Sequence, residues 1–119
     1  MSKERFYRLS DQLREFARER DWEQFHSPKN LSMALIAECA ELVEHFQWLG
    51  ETEAYQLTPE KKEAVAMEAA DVLIYLLRFA ERLDIDLLDA VERKIAINAK
   101  RYPKDKVYGD ARRASEYEE

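Results

Sequence analysis

The sequence predicts an all-α protein built as a four-helix bundle, and three observations support this fold class. Only two glycines and three prolines occur among the 119 residues, which favours a few long helices over a sheet with many turns. Hydrophobic residues make up 46% of the chain and recur mostly at helical spacing. Two dipeptides, Ser27-Pro28 and Thr58-Pro59, place a capping residue before a proline, which is a helix-start signal.

The first two helices are predicted from apolar periodicity and capping residues. The first runs from about Glu4 to Glu19, because apolar side chains share one face and charges occupy the other. These apolar side chains are Phe6, Leu9, Leu13 and Phe16. A loop follows, and the second helix begins at Ser27, with Asn30 as an alternative cap. It is predicted to continue to about Leu49 and to stop at Gly50, a typical C-terminal glycine.

The third and fourth helices follow a short linker. The third is predicted from about Pro59 to Leu83, and its middle is apolar on most sides, which indicates contacts from several directions. Asp84 or Asp86 caps the fourth, which ends near Arg101 because a proline follows closely. Its predicted core stripe is Leu88, Val91 and Ile95. Residues 1–103 are thus predicted as one domain, and the polar residues 104–119 as a mobile tail.

Composition excludes several classes of function. The net charge is −6 and no dense basic cluster occurs, which argues against binding to a nucleic acid polymer. No uncharged apolar stretch is long enough to span a membrane, and the N-terminus lacks the apolar core of a signal peptide. Cys39 is the single cysteine, so no internal disulfide is possible. We therefore expect a cytoplasmic protein without a membrane partner.

Four acidic residues interrupt the apolar segments of the second and third predicted helices. Glu38 and Glu41 form one pair and Glu68 and Asp71 the other, and the i, i+3 spacing puts each pair on one helix face. Neither apolar segment contains a lysine or arginine. Unpaired buried carboxylates are costly unless they are protonated, paired from elsewhere or bound to metal. Together they predict an oxygen-rich site for Mg²⁺, with Mn²⁺ as a possible substitute.

Two other interpretations of these acids are weaker. Simple solvent exposure explains any one of them, but it does not explain two equally spaced pairs that are both flanked by alanines. A ferritin-like di-iron site needs two Glu-x-x-His pairs. The chain has two histidines, and His45 has no glutamate three residues before it. The all-oxygen ligand set favours Mg²⁺.

Basic and aromatic residues near the helix ends suggest contacts to an anionic nucleotide. Lys94, Asn98 and Arg101 form one stripe on the fourth helix, which is either a solvated face or a clamp for phosphates. Trp22 and Trp48 are either core residues at helix ends or stacking partners for a base. Further candidates near these positions are His26 and, on the face of the third helix that carries Glu68 and Asp71, Tyr75.

These patterns together resemble a known family. The two acidic pairs, with the segments RDWEQFHSPKNL, ECAELVEHFQWL, EAADVLIYLL and KIAINAKRYP, are similar to the MazG-like all-α nucleoside triphosphate pyrophosphohydrolases, in their dCTP pyrophosphatase branch. The resemblance covers roughly residues 20–103. It implies Mg²⁺-dependent hydrolysis of a nucleoside triphosphate to the monophosphate and pyrophosphate. It also implies assembly as a homodimer or homotetramer of MazG-like bundles.

The resemblance further implies a role for each candidate residue. Metal ligands would be Glu38, Glu41, Glu68 and Asp71, and phosphate or sugar contacts would come from Lys94, Asn98, Arg101 and Tyr102. The base and sugar pocket would be lined by Trp22, His26, Trp48 and Tyr75. We predict that Glu41 orients or deprotonates the attacking water, and that the substrate is dCTP or a modified pyrimidine deoxynucleotide. The competing hypothesis is a non-enzymatic helical interaction module whose acids form a structural metal site.

Overall fold

The computed structural model describes residues 2–116, and all regular secondary structure in that range is helical. The helices are α1 (Lys3–Glu19), α2 (Pro28–Glu44), α3 (Pro59–Arg82), α4 (Leu87–Arg101) and the short α5 (Lys104–Val107). Single 3₁₀ turns occur at Glu23–Phe25, Glu53–Tyr55 and Ala114–Glu116. The predicted all-α class and its four long helices are confirmed. Within the described range, no helix has the length and apolar character needed to cross a membrane.

The four long helices begin at side-chain caps. In each, an oxygen of the capping side chain accepts a hydrogen bond from the backbone N–H three residues later, at 3.1 to 3.2 Å. The caps are Ser2, Ser27, Thr58 and Asp86. Ser27 rather than Asn30 therefore caps α2, and each cap is typically worth about 1 kcal/mol of helix stability.

Helices α1 and α3 end in the same left-handed turn. Asp21 and Asp84 both have φ of 55°, a conformation that aspartate tolerates better than most residues. The residue after each aspartate donates its N–H to the carbonyl five residues back, at Ala17 in α1 and Ala80 in α3. Asp84 therefore ends α3, and the cap of α4 is the other predicted aspartate, Asp86.

The predicted end of α2 is wrong by about one turn. The helix ends at Glu44 with His45 as its C-cap, rather than near Leu49 with a stop at Gly50. The His45 N–H already bonds to the carbonyl three residues back, at 3.2 Å, and the next residue repeats this tighter pattern. The chain then continues through turns. Apolar residues after position 44 imitate helical periodicity, which explains the overestimate.

The chain divides into two compact units. The first ends at Ile85, and in it α3 packs against both α2 and α1. Its buried apolar side chains are Phe6, Ala17, Leu31, Leu77 and Ala80. The second unit begins at Asp86 and contains α4, α5 and the buried Ala114. The predicted boundary at residue 103 and the mobility of the tail stay predictions.

The predicted core stripe of α4 is only partly correct. Leu88 is half-buried, but Val91 and Ile95 are exposed in the single chain. Helical periodicity shows that a face is apolar, and it does not show what covers that face.

Candidate metal and nucleotide site

Three of the four predicted metal ligands form one cluster. Glu38 and Glu41 project from α2 and Glu68 from α3, and one carboxylate oxygen from each lies within 4.8 Å of the others. The pairing of α2 with α3 brings the two acidic segments together, as their i, i+3 spacing predicted. Glu41 is the exposed member, whereas Glu38 and Glu68 are half-buried. The structure therefore presents an acidic cluster with one side open to a ligand.

Two oxygens of this cluster lack hydrogen-bond partners. Glu38 Oε2 and Glu68 Oε1 are both buried, and neither has a partner within residues 2–116. The pKa of Glu38 is raised, chiefly by the close approach of the Glu68 carboxylate, then by burial, and also by the negative charges of Glu68 and Asp71. These carboxylates thus repel one another and favour neutralisation, either by a proton or by a cation.

The cluster fits a hard divalent cation. Mg²⁺ and Mn²⁺ prefer oxygen ligands, and two oxygens bound to one Mg²⁺ lie at most about 4.2 Å apart. The three carboxylate oxygens all lie within 4.8 Å of one another, which is close to this value, so a small side-chain adjustment suffices. The two orphaned carboxylate oxygens are the ligand atoms that such an ion would satisfy.

Asp71, whose negative charge acts on Glu38, also lines a cavity of about 300 Å³. The cavity lies within the first unit, and its walls come from α1, the connection before α2, and α3. Its lining residues are Leu13, Phe16, Ala17, Trp22, His26, Asp71, Ile74, Tyr75 and Arg78. Three of the four predicted base-pocket residues are among them. Asp71 itself lies outside the group of three acids, so its role as a metal ligand stays a prediction.

Aromatic rings line one wall of this cavity. The Trp22 ring makes an edge contact with Phe16, with centroids 5.8 Å apart, and lies tilted against His26 at 6.3 Å. The left-handed turn after α1 places Trp22 here, because the Trp22 N–H donates a hydrogen bond to the Ala17 carbonyl at 2.9 Å. Trp22 is 44% exposed, so part of its surface is available to a stacking ligand.

His26 is held by two arginines of α3. Its Nδ1 accepts from Arg78 Nε at 3.4 Å, and its carbonyl accepts from Arg82 Nε at 3.0 Å. Burial lowers the pKa of His26, and the positive charges of Arg78 and Arg82 lower it further. The imidazole is therefore held neutral, and because Nδ1 accepts, its proton is on Nε2.

The remaining predicted residues are not among those that line the cavity. Trp48 is 87% exposed in the turns after α2, and it is not part of the cavity wall. Lys94, Asn98 and Arg101 are exposed along α4 at the predicted spacing. The Tyr102 hydroxyl accepts a hydrogen bond from the Ala114 N–H at 3.3 Å. The substrate contacts predicted for these five residues stay predictions.

Sequence reasoning missed one polar residue of the cavity. Arg78 is only 3% exposed and lines the cavity beside Tyr75. A signal was present, because Asp71, Tyr75 and Arg78 stand at i, i+4 and i+7 and so share one face of α3. An arginine near a helix end is usually solvated, so the sequence alone gave no reason to select this one.

The fold and the acidic site define a class of protein. The model of the MazG-like family matches residues 34–116, and the chain belongs to that family. Among known structures, a pyrophosphatase from Archaeoglobus fulgidus is 40% identical with a TM-score of 0.81. That match covers 87% of this chain and 97% of the other.

Sequence relatives agree with this assignment. The protein named dCTP pyrophosphatase 1 from Mus musculus is 50% identical over 91 residues, which is 75% of this chain and 54% of the relative. The Homo sapiens protein of the same name is 46% identical over 104 residues, covering 86% of this chain and 61% of the relative. The chain thus spans just over half the length of these relatives. The predicted resemblance to the family and to this branch is confirmed.

Proposed function

We propose that this protein is a Mg²⁺-dependent nucleoside triphosphate pyrophosphohydrolase. It acts on dCTP or a modified pyrimidine deoxynucleotide and yields the monophosphate and pyrophosphate, in the cytoplasm. One observation carries the proposal: two buried carboxylate oxygens without partners lie in an acidic cluster, and Asp71, whose charge acts on Glu38 of that cluster, lines an aromatic cavity. The names of the relatives support the reaction and the base.

The nucleotide would lie along α3. Its triphosphate would meet the cation held by Glu38, Glu41 and Glu68, while its base would enter the cavity beside Trp22. Asp71 lines that cavity and lies one helical turn from Glu68, so the acidic end and the aromatic end are adjacent. Stacking against an aromatic ring tolerates every base, so hydrogen bonds within the cavity must select among bases.

The side chains supply positioning and proton transfer. Glu38, Glu41 and Glu68 would hold a divalent cation, which would neutralise phosphate oxygens and stabilise the charge that develops on the leaving pyrophosphate. Glu41, the exposed acid of the cluster, holds the attacking water and takes its proton. The water oxygen forms a bond to phosphorus as the bond to pyrophosphate breaks. The family resemblance implies that contacts to the phosphates or sugar come from Lys94, Asn98, Arg101 and Tyr102.

A nucleotide panel tests this proposal. The purified protein with Mg²⁺ is incubated with each of the four deoxynucleoside triphosphates, and the products are separated by chromatography. We expect dCTP to give dCMP and pyrophosphate in equal amounts. Release of orthophosphate with dCDP would contradict the pyrophosphohydrolase reaction. Much faster turnover of purine nucleotides would contradict the pyrimidine assignment while leaving the reaction class intact.

Trp48 provides a separate prediction. If it contacts the base, Trp48→Ala should raise KM for every accepted nucleotide by about tenfold or more, since stacking contributes roughly 1–3 kcal/mol per base. The Mg²⁺ concentration that gives half-maximal activity should not change. Steady-state kinetics with dCTP measures both quantities, and an unchanged KM would remove Trp48 from the binding site.

Assembly into a homo-oligomer is part of the proposal. Helix α2 turns its acids toward α3, while Met33, Ile36 and Val43 form a stripe on another face and are each more than half exposed. Glu38 lies about 200° around the helix from Ile36, so this stripe is nearly opposite the acid. Exposed apolar stripes of this kind are costly in water and are usually covered by a protein surface. A second copy of the chain is the partner that the family resemblance implies.

Light scattering at low micromolar concentration tests the assembly. We expect a mass at least twice the 14.1 kDa of the single chain. Ile36→Glu would place an unpaired charge in the interface and should shift the population toward the monomer. A well-folded wild-type species of 14.1 kDa would refute this part of the proposal.

A further inference from the structure

Arg78 is the one buried charged residue in the described part of the chain, and nothing in the proposed reaction explains it. It lies near the C-terminal end of α3, 3% exposed, and lines the cavity together with Trp22, His26 and Tyr75. Burying a guanidinium is unfavourable unless each of its donors finds an acceptor. The partners of its three nitrogens therefore indicate what the residue is for.

Two nitrogens of Arg78 have partners and the third has none. Nε donates to His26 Nδ1 at 3.4 Å, and Nη1 donates to Glu81 Oε2 at 2.8 Å. Glu81 is also within 3.7 Å of Arg14 on α1, which fixes the carboxylate between two helices. Nη2 is buried and has no partner within residues 2–116. The side chain is thus anchored on two sides and retains two unused N–H groups.

The position of Arg78 along α3 indicates which part of a nucleotide it meets. Asp71 marks the acidic end of the cavity, and Arg78 lies seven residues later on the same face, about 10 Å along the helix axis. Under the proposed function, the phosphates lie at the acidic end. The opposite end, with Trp22, His26 and Arg78, then receives the base.

We propose that Arg78 is a specificity-determining residue that recognises cytosine, with one N–H of Nη2 donating a hydrogen bond that O2 and N3 of the base share. A guanidinium only donates hydrogen bonds, so it favours an edge with adjacent acceptors. Cytosine presents O2 and N3 as neighbouring acceptors. In thymine and uracil, N3 carries a hydrogen and faces the guanidinium with a second donor. Arg78 therefore selects cytosine over the other pyrimidines, and the inference rests on the proposed placement of the nucleotide.

Binding of nucleoside monophosphates tests this proposal without relying on turnover. Affinities for dCMP and dTMP are measured by calorimetry on wild type, Arg78→Met and Arg78→Lys, with Mg²⁺ present. Methionine retains the apolar stem, and lysine retains the charge but loses the fork-shaped pair of donors. We expect both variants to lose about ten- to a hundredfold in dCMP affinity, the size typical of a hydrogen bond from a charged donor. Their dTMP affinity should change less than about threefold.

Arg82→Met is the matched control. Arg82 follows one turn later on α3 and also bonds to His26, through the backbone carbonyl, but it does not line the cavity. Its loss should leave the preference for dCMP over dTMP unchanged. An equal loss of affinity for dCMP and dTMP in the Arg78 variants would overturn the proposal. It would show that Arg78 supports the structure or contacts the sugar or phosphate, which both nucleotides share. An unchanged preference would overturn it as well.

The same samples separate this inference from the proposed function. Wild-type protein that binds dCMP but hydrolyses no triphosphate would refute the enzymatic function, and the Arg78 variants would still decide the base contact. Wild-type protein that hydrolyses dCTP while Arg78→Met keeps its base preference would refute only the role of Arg78. Wild-type protein that binds neither monophosphate would overturn the placement of the base in this cavity.

Discussion

Replacing Glu68 by glutamine should remove metal-dependent hydrolysis of dCTP and leave the helical fold intact. Mutation of a residue that hydrogen-bonds to a metal ligand typically lowers metal affinity or activity by ten- to a hundredfold. Loss of a ligand itself should therefore lower kcat/KM by at least about a hundredfold. The metal-free protein should melt at a higher temperature, because the neutral amide relieves the repulsion that raises the pKa of Glu38. Kinetics and thermal melting monitored by circular dichroism measure the two effects.

Glu63→Gln is a suitable control for this variant. Glu63 lies on the same helix, is exposed, and is outside the acidic cluster. The substitution removes the same charge, so it should change neither kcat/KM nor the melting temperature appreciably. Full activity in Glu68→Gln would refute the metal site. Lower activity together with lost helicity would show that Glu68 supports the fold and would contradict the predicted rise in melting temperature.

Trp22→Ala should raise KM for dCTP by about ten- to a hundredfold, because base stacking contributes roughly 1–3 kcal/mol. Trp22 forms the partly exposed aromatic wall of the cavity, in contact with Phe16 and His26. The dependence of the rate on Mg²⁺ concentration should not change, since the acidic cluster retains all of its ligands. Initial rates over a matrix of dCTP and Mg²⁺ concentrations give both parameters.

Phe25→Ala is the matched control for Trp22→Ala. Phe25 lies in the same connection between α1 and α2, is also aromatic and exposed, and is not part of the cavity wall. Its removal should leave KM near the wild-type value. If Trp22→Ala left KM unchanged, the cavity would not be the base site. Equal increases in both variants would indicate a general disturbance of the connection.

The helices were largely predictable because their ends depend on local chemistry. Ser27 and Thr58, each followed by proline, form the predicted caps at 3.1 and 3.2 Å. The end of α2 was not predictable in the same way. Hydrogen bonds tighten to the three-residue pattern at His45, while the apolar pattern continues beyond it. Periodicity cannot distinguish a helix from a run of turns that keeps the same apolar spacing.

The site was predictable where its residues share a short-range pattern. Glu38 and Glu41 on one helix and Glu68 on another were selected by spacing, and the pairing of α2 with α3 brings them within 4.8 Å. Arg78 was missed because its burial depends on Glu81 and on His26, which lies 52 residues away in sequence. A contact over that separation is set by tertiary packing, and no local propensity reports it.

Pyrophosphate release from dCTP, measured with Mg²⁺ and again with excess EDTA, tests the proposed function most directly. Two oxygens in the cluster of Glu38, Glu41 and Glu68 are buried without hydrogen-bond partners, so we expect turnover only when a divalent cation binds the cluster. The predicted result is stoichiometric dCMP and pyrophosphate with Mg²⁺, almost none with EDTA, and recovery when Mg²⁺ or Mn²⁺ is restored. Equal turnover under both conditions would contradict the metal site, and no turnover under either would favour the non-enzymatic interaction module.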